Sequence, residues 1–236
     1  MSKIITGFTQ EGLQAPKFEA TMAGIMVTVT PPVTPPVAPP VTPEPTPRPT
    51  PKLIQIMGSE ELIEKLLNTF KEKKECCGCT ACYAICSQMA ISMIEDEEGF
   101  LYPHVDVEHC IDCHLCEKVC PVLHSGKPRK PLNVYAAKNK DEKIRLQSSS
   151  GGVFSSLAEA IINAGGVVFG AKFDEEWKVV HGYTETKDGI ADFRGSKYVQ
   201  SWMGDNFSKV KYFLDNGRKV LFSGTPCQVA GLKRFL

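Results

Sequence analysis

Two copies of one four-cysteine pattern account for eight of the ten cysteines in this chain. Both copies have the spacing x2-x2-x3, and their members are Cys76, Cys79, Cys82 and Cys86 in the first run and Cys110, Cys113, Cys116 and Cys120 in the second. Such a run places three thiolates around one face of an iron–sulfur cubane, while its fourth cysteine ligates the cluster of the other run. The duplicated spacing therefore predicts two 4Fe–4S clusters and one-electron transfer chemistry.

The same rule divides these thiols into two ligand sets. We predict that one cluster is held by Cys76, Cys79, Cys82 and Cys120, and the other by Cys86, Cys110, Cys113 and Cys116. The alternative is structural zinc in an interaction protein, with ligands such as Cys79, Cys82, Cys110 and Cys113. That alternative leaves the remaining thiols unused and the duplicated spacing unexplained. Because the sequence shows no signal peptide, we expect a reducing, cytoplasmic compartment rather than a disulfide framework.

Two positions depart from a strict repeat. Pro121 follows the second run, whereas Ser87 occupies the equivalent position after the first. Cys77 is surplus to the pattern, and we interpret it as a passive thiol, with an alternative ligand as the other interpretation. Four histidines lie near the runs and are interpreted as surface or supporting residues, since the cysteines already fill both clusters; they are His104, His109, His114 and His124.

Composition excludes several classes of function. Lys plus Arg equals Asp plus Glu at 27 each, so no basic field argues for binding of nucleic acid. No apolar run approaches the roughly 20 residues needed to cross a bilayer, and membrane insertion is not predicted.

The chain divides into five segments by composition. Residues 1–29 are too few to bury a core and have no assignable role, although IMVTVT at 25–30 alternates like a strand. Residues 30–52 are a proline-rich linker, expected to be extended at about 3.1 Å per residue. Residues 53–75 predict a helix capped by Ser59 that leads into the ferredoxin domain of residues 76–125. A second domain occupies residues 132–236.

Within the ferredoxin domain, the sequence between the cysteine runs predicts two strands with a turn at Glu98–Gly99. From residue 134 the pattern changes to alternating strands and helices, starting with VYAAK at 134–138. A helix from Val153, stopped by Gly165 and Gly166, precedes a strand at 167–173, predicted to be buried on both faces, and its neighbour at 179–185. A last strand at Lys219–Phe222 leads into another helix.

Two turns precede these helices and could cradle a phosphate. The first contains Ser149, Ser150, Gly151 and Gly152, and taken alone it is interpreted as an ordinary turn. The second contains Gly224, Thr225, Pro226, Cys227 and Gln228, with Thr225 as N-cap and Pro226 at the first helical position. Cys227 then lies in the first turn of the helix. The functional interpretations are a reactive thiol, a cluster ligand or a cofactor contact, and the alternative is a small buried residue. Lys197, Tyr198 and Gln200 could line the same cleft, or mark an exposed strand end.

At this point the chain resembles a known family. The ferredoxin runs followed by SSSGGVFSSLAEAI, GSKYVQS and SGTPCQVAGLKRFL are similar to the coenzyme F420 hydrogenase/dehydrogenase beta subunits over residues 75–236. The resemblance implies an α+β protein with a bacterial dicluster ferredoxin-like domain followed by an α/β flavin-binding domain. It also implies FAD or another flavin, a deazaflavin as substrate, and a protein or subunit that donates or accepts electrons.

By the same resemblance, the Ser149–Gly152 turn, the Lys197–Gln200 segment and the Gly224–Gln228 turn contact the flavin or its phosphates. The expected function is an iron–sulfur flavoprotein oxidoreductase subunit, with no acid–base residue to nominate. Because the family continues past Leu236, we expect an incomplete domain with weakened or lost flavin binding. The alternative function is a non-enzymatic dicluster ferredoxin module that only carries electrons.

Overall fold

The structure is a computed structural model that describes residues 25–29, 73–126 and 134–236, the first of these segments as backbone only. The predicted proline-rich linker lies outside the described residues. So does most of the helix predicted within 53–75, of which a 3₁₀ helix at Lys73–Glu75 is described. The strand predicted at 25–30 is confirmed as β1, Ile25–Val29.

The cysteine-rich domain is built from two short helices and one hairpin. Helices α1 (Ala81–Ile85) and α2 (Leu115–Val119) each follow the second cysteine of a run. Strands β2 (Ile91–Glu95) and β3 (Leu101–Val105) pair in antiparallel register. This confirms the predicted hairpin, and its turn has Gly99 at φ 85, a left-handed conformation that favours glycine.

The second domain is organised around a four-stranded sheet in the order β1-β6-β4-β5. Its remaining strands are β4 (Val167–Phe173), β5 (Val179–Thr184) and β6 (Val220–Gly224). Strands β4 and β6 are parallel, whereas β5 and β1 pair antiparallel to their neighbours. The predicted pairing of β5 with β4 is confirmed.

Helices cover both faces of this sheet. They are α3 (Glu142–Leu146), α4 (Val153–Asn163), α5 (Asn206–Asp215) and α6 (Pro226–Phe235), with a 3₁₀ helix at Asp188–Phe193. On one face, α4 packs on Val168 and Leu221. On the other face, α5 and α6 pack over Phe169 and Phe222. Successive residues of a strand point to opposite faces, so the apolar run of β4 is buried on both sides at Val167–Gly170.

The ferredoxin domain shares a core with the second domain. Cys79, Ala81 and Val119 are buried in the same apolar cluster as residues from α5 and α6. On the hairpin side, Trp202 of the second domain packs against the Tyr83 ring at 5.6 Å between centroids. The two parts therefore form one continuous hydrophobic core.

One element prediction is wrong. Residues 134–138 form no strand; they are exposed, with Val134 at 57% and Tyr135 at 47% exposure. The segment has strand-like composition, but no strand of the described residues pairs with it, and strand formation depends on pairing more than on propensity. The protein is a mixed helix and sheet fold in which the predicted ferredoxin domain packs against the second domain.

Candidate functional site

The two cysteine runs have the same backbone conformation. Gly78 and Thr80 in the first run have φ values of 60 and 64, and the equivalent Asp112 and His114 in the second both have φ 55. These left-handed residues alternate with the cysteines and curl each loop before its helix begins. The duplication seen in the sequence is therefore also a duplication of local structure.

The cysteines of the predicted second set line one cavity, and they are Cys86, Cys110, Cys113 and Cys116. Its apolar wall includes Ile91 and Val105 from the hairpin. At the rim, Cys113 is exposed and Ile111 is 62% exposed. These four thiols are thus brought together beside solvent.

The thiols of the predicted first set lie deeper. Cys79 is only 7% exposed and belongs to the shared core. Burial raises the pKa of Cys82 above its ordinary value, and the neighbouring Cys76, Cys116 and Cys120 thiols, of which Cys116 belongs to the other predicted set, raise it further. Burial also raises the pKa of Cys76, with a further contribution from Cys120. Thiols that disfavour one another's ionisation are close together, and a bound cation would reverse that repulsion.

This donor set fits iron–sulfur clusters. Among the described residues, no three Cys, His, Asp or Glu side chains converge as they would on a single metal ion. A tetrahedral zinc ion needs all of its cysteine sulfurs within about 2.3 Å of one metal centre. In a 4Fe–4S cubane each cysteine binds a different iron, so the cysteine sulfurs lie farther apart. The assignment of individual cysteines to the two clusters stays a prediction.

The two surplus cysteines meet at the junction of the domains. The Cys77 and Cys227 thiols are hydrogen-bonded, and the Cys227 Sγ also lies 3.1 Å from the Thr225 Oγ. The bond to Cys77, together with burial, raises the pKa of Cys227. In Cys77 the bond to Cys227 lowers the pKa, but a bond to Cys79 and burial outweigh it and raise the value to about 12. Both thiols therefore have raised pKa values, which argues against the interpretation of Cys227 as a reactive thiol.

The Gly224–Gln228 turn begins α6 as predicted. Thr225 is the N-cap, Pro226 lies in the first turn, and Gln228 completes a capping box. The Gln228 Oε1 accepts the Thr225 N–H at 2.8 Å, and its Nε2 donates to the Ser201 Oγ at 3.0 Å. Gln228 is 5% exposed, and both ends of its amide are used in hydrogen bonds that stabilise the turn.

A buried histidine extends that network. The His181 Nε2 lies 3.0 Å from the Ser223 carbonyl oxygen and its Nδ1 lies 2.9 Å from the Ser201 Oγ. A carbonyl can only accept, so Nε2 carries the proton and Nδ1 accepts from the serine hydroxyl. Burial lowers the pKa of His181 to about 4, which keeps the ring neutral. His181 also stacks on Phe222, with centroids 5.4 Å apart.

The Ser149–Gly152 turn and the 195–200 segment are brought together. The Ser149 Oγ accepts the Ser196 N–H at 2.6 Å. The Arg194 Nε donates to the Ser155 Oγ at 3.1 Å, and its Nη1 donates to the Gln147 Oε1 at 2.8 Å. Because Ser155 lies in the first turn of α4, Arg194 places a permanent positive charge beside the positive end of a helix. That combination suits an anion.

The other predicted contacts differ in their surroundings. The Lys197 Nζ donates to the carbonyls of Asp192 and Arg194. Tyr198 is 93% exposed. The Gln200 side-chain amide forms hydrogen bonds with the backbone of Leu101 and Gly78 in the ferredoxin domain. Their roles as flavin contacts stay predictions.

Arg194, His181 and Ser201 are site residues that the sequence interpretation did not single out. Arg194 directly precedes the GSKYVQS segment, so extending that segment by one residue would have included it. His181 is part of strand β5 and Ser201 is the last residue of GSKYVQS. Nothing in their local sequence indicates that they meet, because their contact is 20 residues apart and depends on the sheet.

Comparison with known proteins agrees with this division of the chain. Residues 75–123 match a 4Fe–4S dicluster domain, and residues 134–205 match the N-terminal domain of coenzyme F420 hydrogenase/dehydrogenase beta subunits. One component of the F420H2 dehydrogenase of Methanosarcina mazei is 26% identical over 165 residues. Residues 134–205 thus carry the N-terminal domain of the coenzyme F420 hydrogenase/dehydrogenase beta subunits.

By its match to a 4Fe–4S dicluster domain, the chain is an iron–sulfur protein of the electron-transfer type. The match to the Methanosarcina protein covers 65% of the chain but 46% of the relative, so the chain spans about half of that protein's length. An uncharacterized ferredoxin of Methanocaldococcus jannaschii is 33% identical over 63 residues, which is 25% of this chain and 80% of the ferredoxin. None of the helices in the described part of the beta-subunit-like chain is long and apolar enough to cross a membrane.

Proposed function

We propose that this protein transfers electrons between two 4Fe–4S clusters and a flavin, and exchanges electron pairs with a deazaflavin or another two-electron acceptor. When bound, the clusters supply single-electron steps and the flavin supplies the conversion to two-electron chemistry. A protein or subunit that donates or accepts single electrons is the proposed partner at the cluster end.

The observation that carries this proposal is the contact between the first cysteine run and the turn that begins α6. The Cys227 Sγ lies 4.0 Å from the Cys77 carbonyl oxygen, and the two free thiols lie within hydrogen-bonding reach of each other. A flavin held at the Gly224–Gln228 turn would therefore adjoin the ligands of the first cluster. That proximity favours electron exchange between them.

The side chains then have distinct tasks. Gln228, Ser201 and His181 fix the turn through one network of hydrogen bonds. Arg194 offers a cation to a flavin phosphate beside the Ser149–Gly152 turn. Cys79, which is 7% exposed, lies on the buried side of this junction.

The exposure of the cysteines suggests an order of transfer. The second ligand set reaches the surface at Cys113, whereas the first set is covered by the second domain at Cys79. An external electron partner would thus dock beside Ile111 and Cys113. The path would run from the second cluster to the first and then to the flavin, or in reverse.

The test is flavin released per protein from anaerobically purified, cluster-reconstituted chain, measured beside its visible spectrum and iron content. The proposal expects broad iron–sulfur absorption, about eight irons per protein and close to one flavin. A reduced deazaflavin should then bleach the iron–sulfur absorption.

Clusters without flavin would overturn the oxidoreductase proposal. The chain would then be the dicluster electron carrier. One observation favours that function: the side-chain amides of Gln200 and Gln228 already donate hydrogen bonds within the protein, to Gly78 and Ser201, rather than being free for a flavin. One zinc and no visible absorption would overturn both.

A further inference from the structure

Gln200 bridges the two domains through its side-chain amide. Its Oε1 accepts the Leu101 N–H at 2.7 Å, and its Nε2 lies 3.2 Å from the Gly78 carbonyl oxygen and 3.4 Å from that of Leu101. All three partners are backbone atoms of the ferredoxin domain, 99 and 122 residues away in sequence. The amide thus ties the start of β3 to the first cysteine loop.

Gly78 is the point where this amide meets the cluster loop. It lies between Cys76 and Cys79 with φ 60, and a Cβ placed on it would come within 2.1 Å of the Gln200 Nε2. The same Cβ would meet the Leu101 carbonyl oxygen at 2.6 Å. The loop is therefore pressed closely against both Gln200 and β3. The equivalent residue of the second loop, Asp112, is exposed.

We propose that Gln200 is a positioning residue of the first cluster, which holds the Cys76–Cys79 loop in its ligating conformation and sets the reduction potential of that cluster alone. The inference rests on the cluster ligand sets of the proposed function. It does not rest on flavin binding.

The physical reason is both geometric and electrostatic. The hydrogen bond to the Gly78 carbonyl oxygen restrains the two residues that separate the ligands Cys76 and Cys79. It therefore limits how far the sulfurs of these ligands can move when the cluster charge changes. The Nε2 hydrogens also place the positive end of an amide dipole beside the loop. Hydrogen bonds and local dipoles tune cluster potentials, and reduction adds negative charge that this dipole stabilises.

Two substitutions separate these effects. Gln200→Met keeps the length of the side chain but removes the amide and its hydrogen bonds. Gln200→Glu keeps an acceptor for the Leu101 N–H but loses the donor to Gly78 and adds a negative charge. The reconstituted full-length protein would be titrated anaerobically with a reductant while its two reduced-cluster signals are followed by electron paramagnetic resonance.

The expected result is that one reduction step moves to more negative potential in both variants, further in Gln200→Glu, while the other step stays in place. The step that moves should be the one lost in Cys82→Ala. Loss of one cluster alone, with native circular dichroism, would support the same role. Asn163→Leu, which removes an exposed amide from the end of α4, is the matched control and should leave both steps unchanged.

Variants that titrate like the wild type would overturn the inference, as would equal shifts of both steps, which indicate general loosening. A wild-type chain that takes up no clusters would instead refute the proposed function and the inference with it. Wild-type clusters with unresponsive variants would refute the inference alone.

Discussion

The sulfur of Cys227 lies 4.0 Å from the carbonyl oxygen of Cys77, although 150 positions separate them in sequence. Gly231 on the same helix makes this approach possible, since a Cβ there would lie 3.0 Å from the Ala81 Cβ and 3.4 Å from the Cys79 Sγ. Helix α6 therefore packs directly on the first cysteine loop. The turn that begins this helix therefore lies next to the predicted ligands of the first cluster.

Replacing Cys82 should remove one cluster and leave the other. Cys82 belongs to the predicted first ligand set, and its thiol lies near those of Cys76 and Cys120 and also near Cys116 of the second set. We expect Cys82→Ala to lose about half of the iron of the wild type, measured by iron content and the visible spectrum. Cys77→Ala is the matched control, because Cys77 is surplus to both sets. Equal iron loss in the two variants would contradict the ligand assignment.

An alanine at position 78 should disturb the first cluster far more than an alanine in an open loop. The left-handed backbone alone costs a non-glycine residue about 1–2 kcal/mol, and the added Cβ would collide with Gln200 and Leu101. We expect Gly78→Ala to lower the denaturation midpoint and the cluster content together. Gly126→Ala is the control, since a Cβ there has no atom within 4 Å. Full cluster content in Gly78→Ala would show that the loop tolerates the change.

Arg194 should contribute to flavin affinity through its charge. Its guanidinium bonds Ser155 in the first turn of α4, and a hydrogen bond to a charged group contributes about 1.5–3 kcal/mol. We expect Arg194→Leu to weaken flavin binding at least about tenfold, with Arg194→Lys intermediate, measured by fluorescence quenching of added FAD. Lys211→Leu removes an exposed charge on α5 and should bind flavin like the wild type. Unchanged affinity in Arg194→Leu would place the flavin phosphate elsewhere.

His181 should make the protein less stable in acid. Its pKa is lowered by burial to about 4 in the folded chain, from 6.5. The unfolded chain therefore binds the proton more tightly, and the stabilisation is complete above about pH 6.5 and is lost as pH falls toward 4. The loss approaches about 1.4 kcal/mol per pH unit within that window.

Urea denaturation at several pH values would measure this effect. His181→Gln keeps groups able to bond Ser201 and the Ser223 carbonyl but does not titrate, so its stability should vary less with pH. His124→Gln replaces an exposed ring and should keep the slope of the wild type. A His181→Gln slope equal to that of the wild type would assign the acid sensitivity to other groups.

Local chemistry made much of the fold predictable. The hairpin β2–β3, the helix stopped at Gly165 and the Thr225–Pro226 helix start follow from turn glycines, capping and periodicity, and all are found. Helix α5 was not predicted, although its buried residues Phe207, Val210 and Phe213 recur at helical spacing and pack on the sheet. The prediction of a strand at residues 134–138 was wrong. The segment has strand propensity, but no strand of the described residues pairs with it.

The candidate site divides in the same way. The spacing of the cysteines determined the donor chemistry and the existence of two equivalent loops, because three thiolates around a cubane require short, fixed intervals along the chain. Which surfaces meet was decided only by the tertiary structure. Arg194 reaches Ser155, His181 reaches Ser201, and Gln200 reaches Gly78 across long stretches of sequence. The first two contacts arise from the folding of the second domain and the third from its packing on the ferredoxin domain, and no local pattern records them.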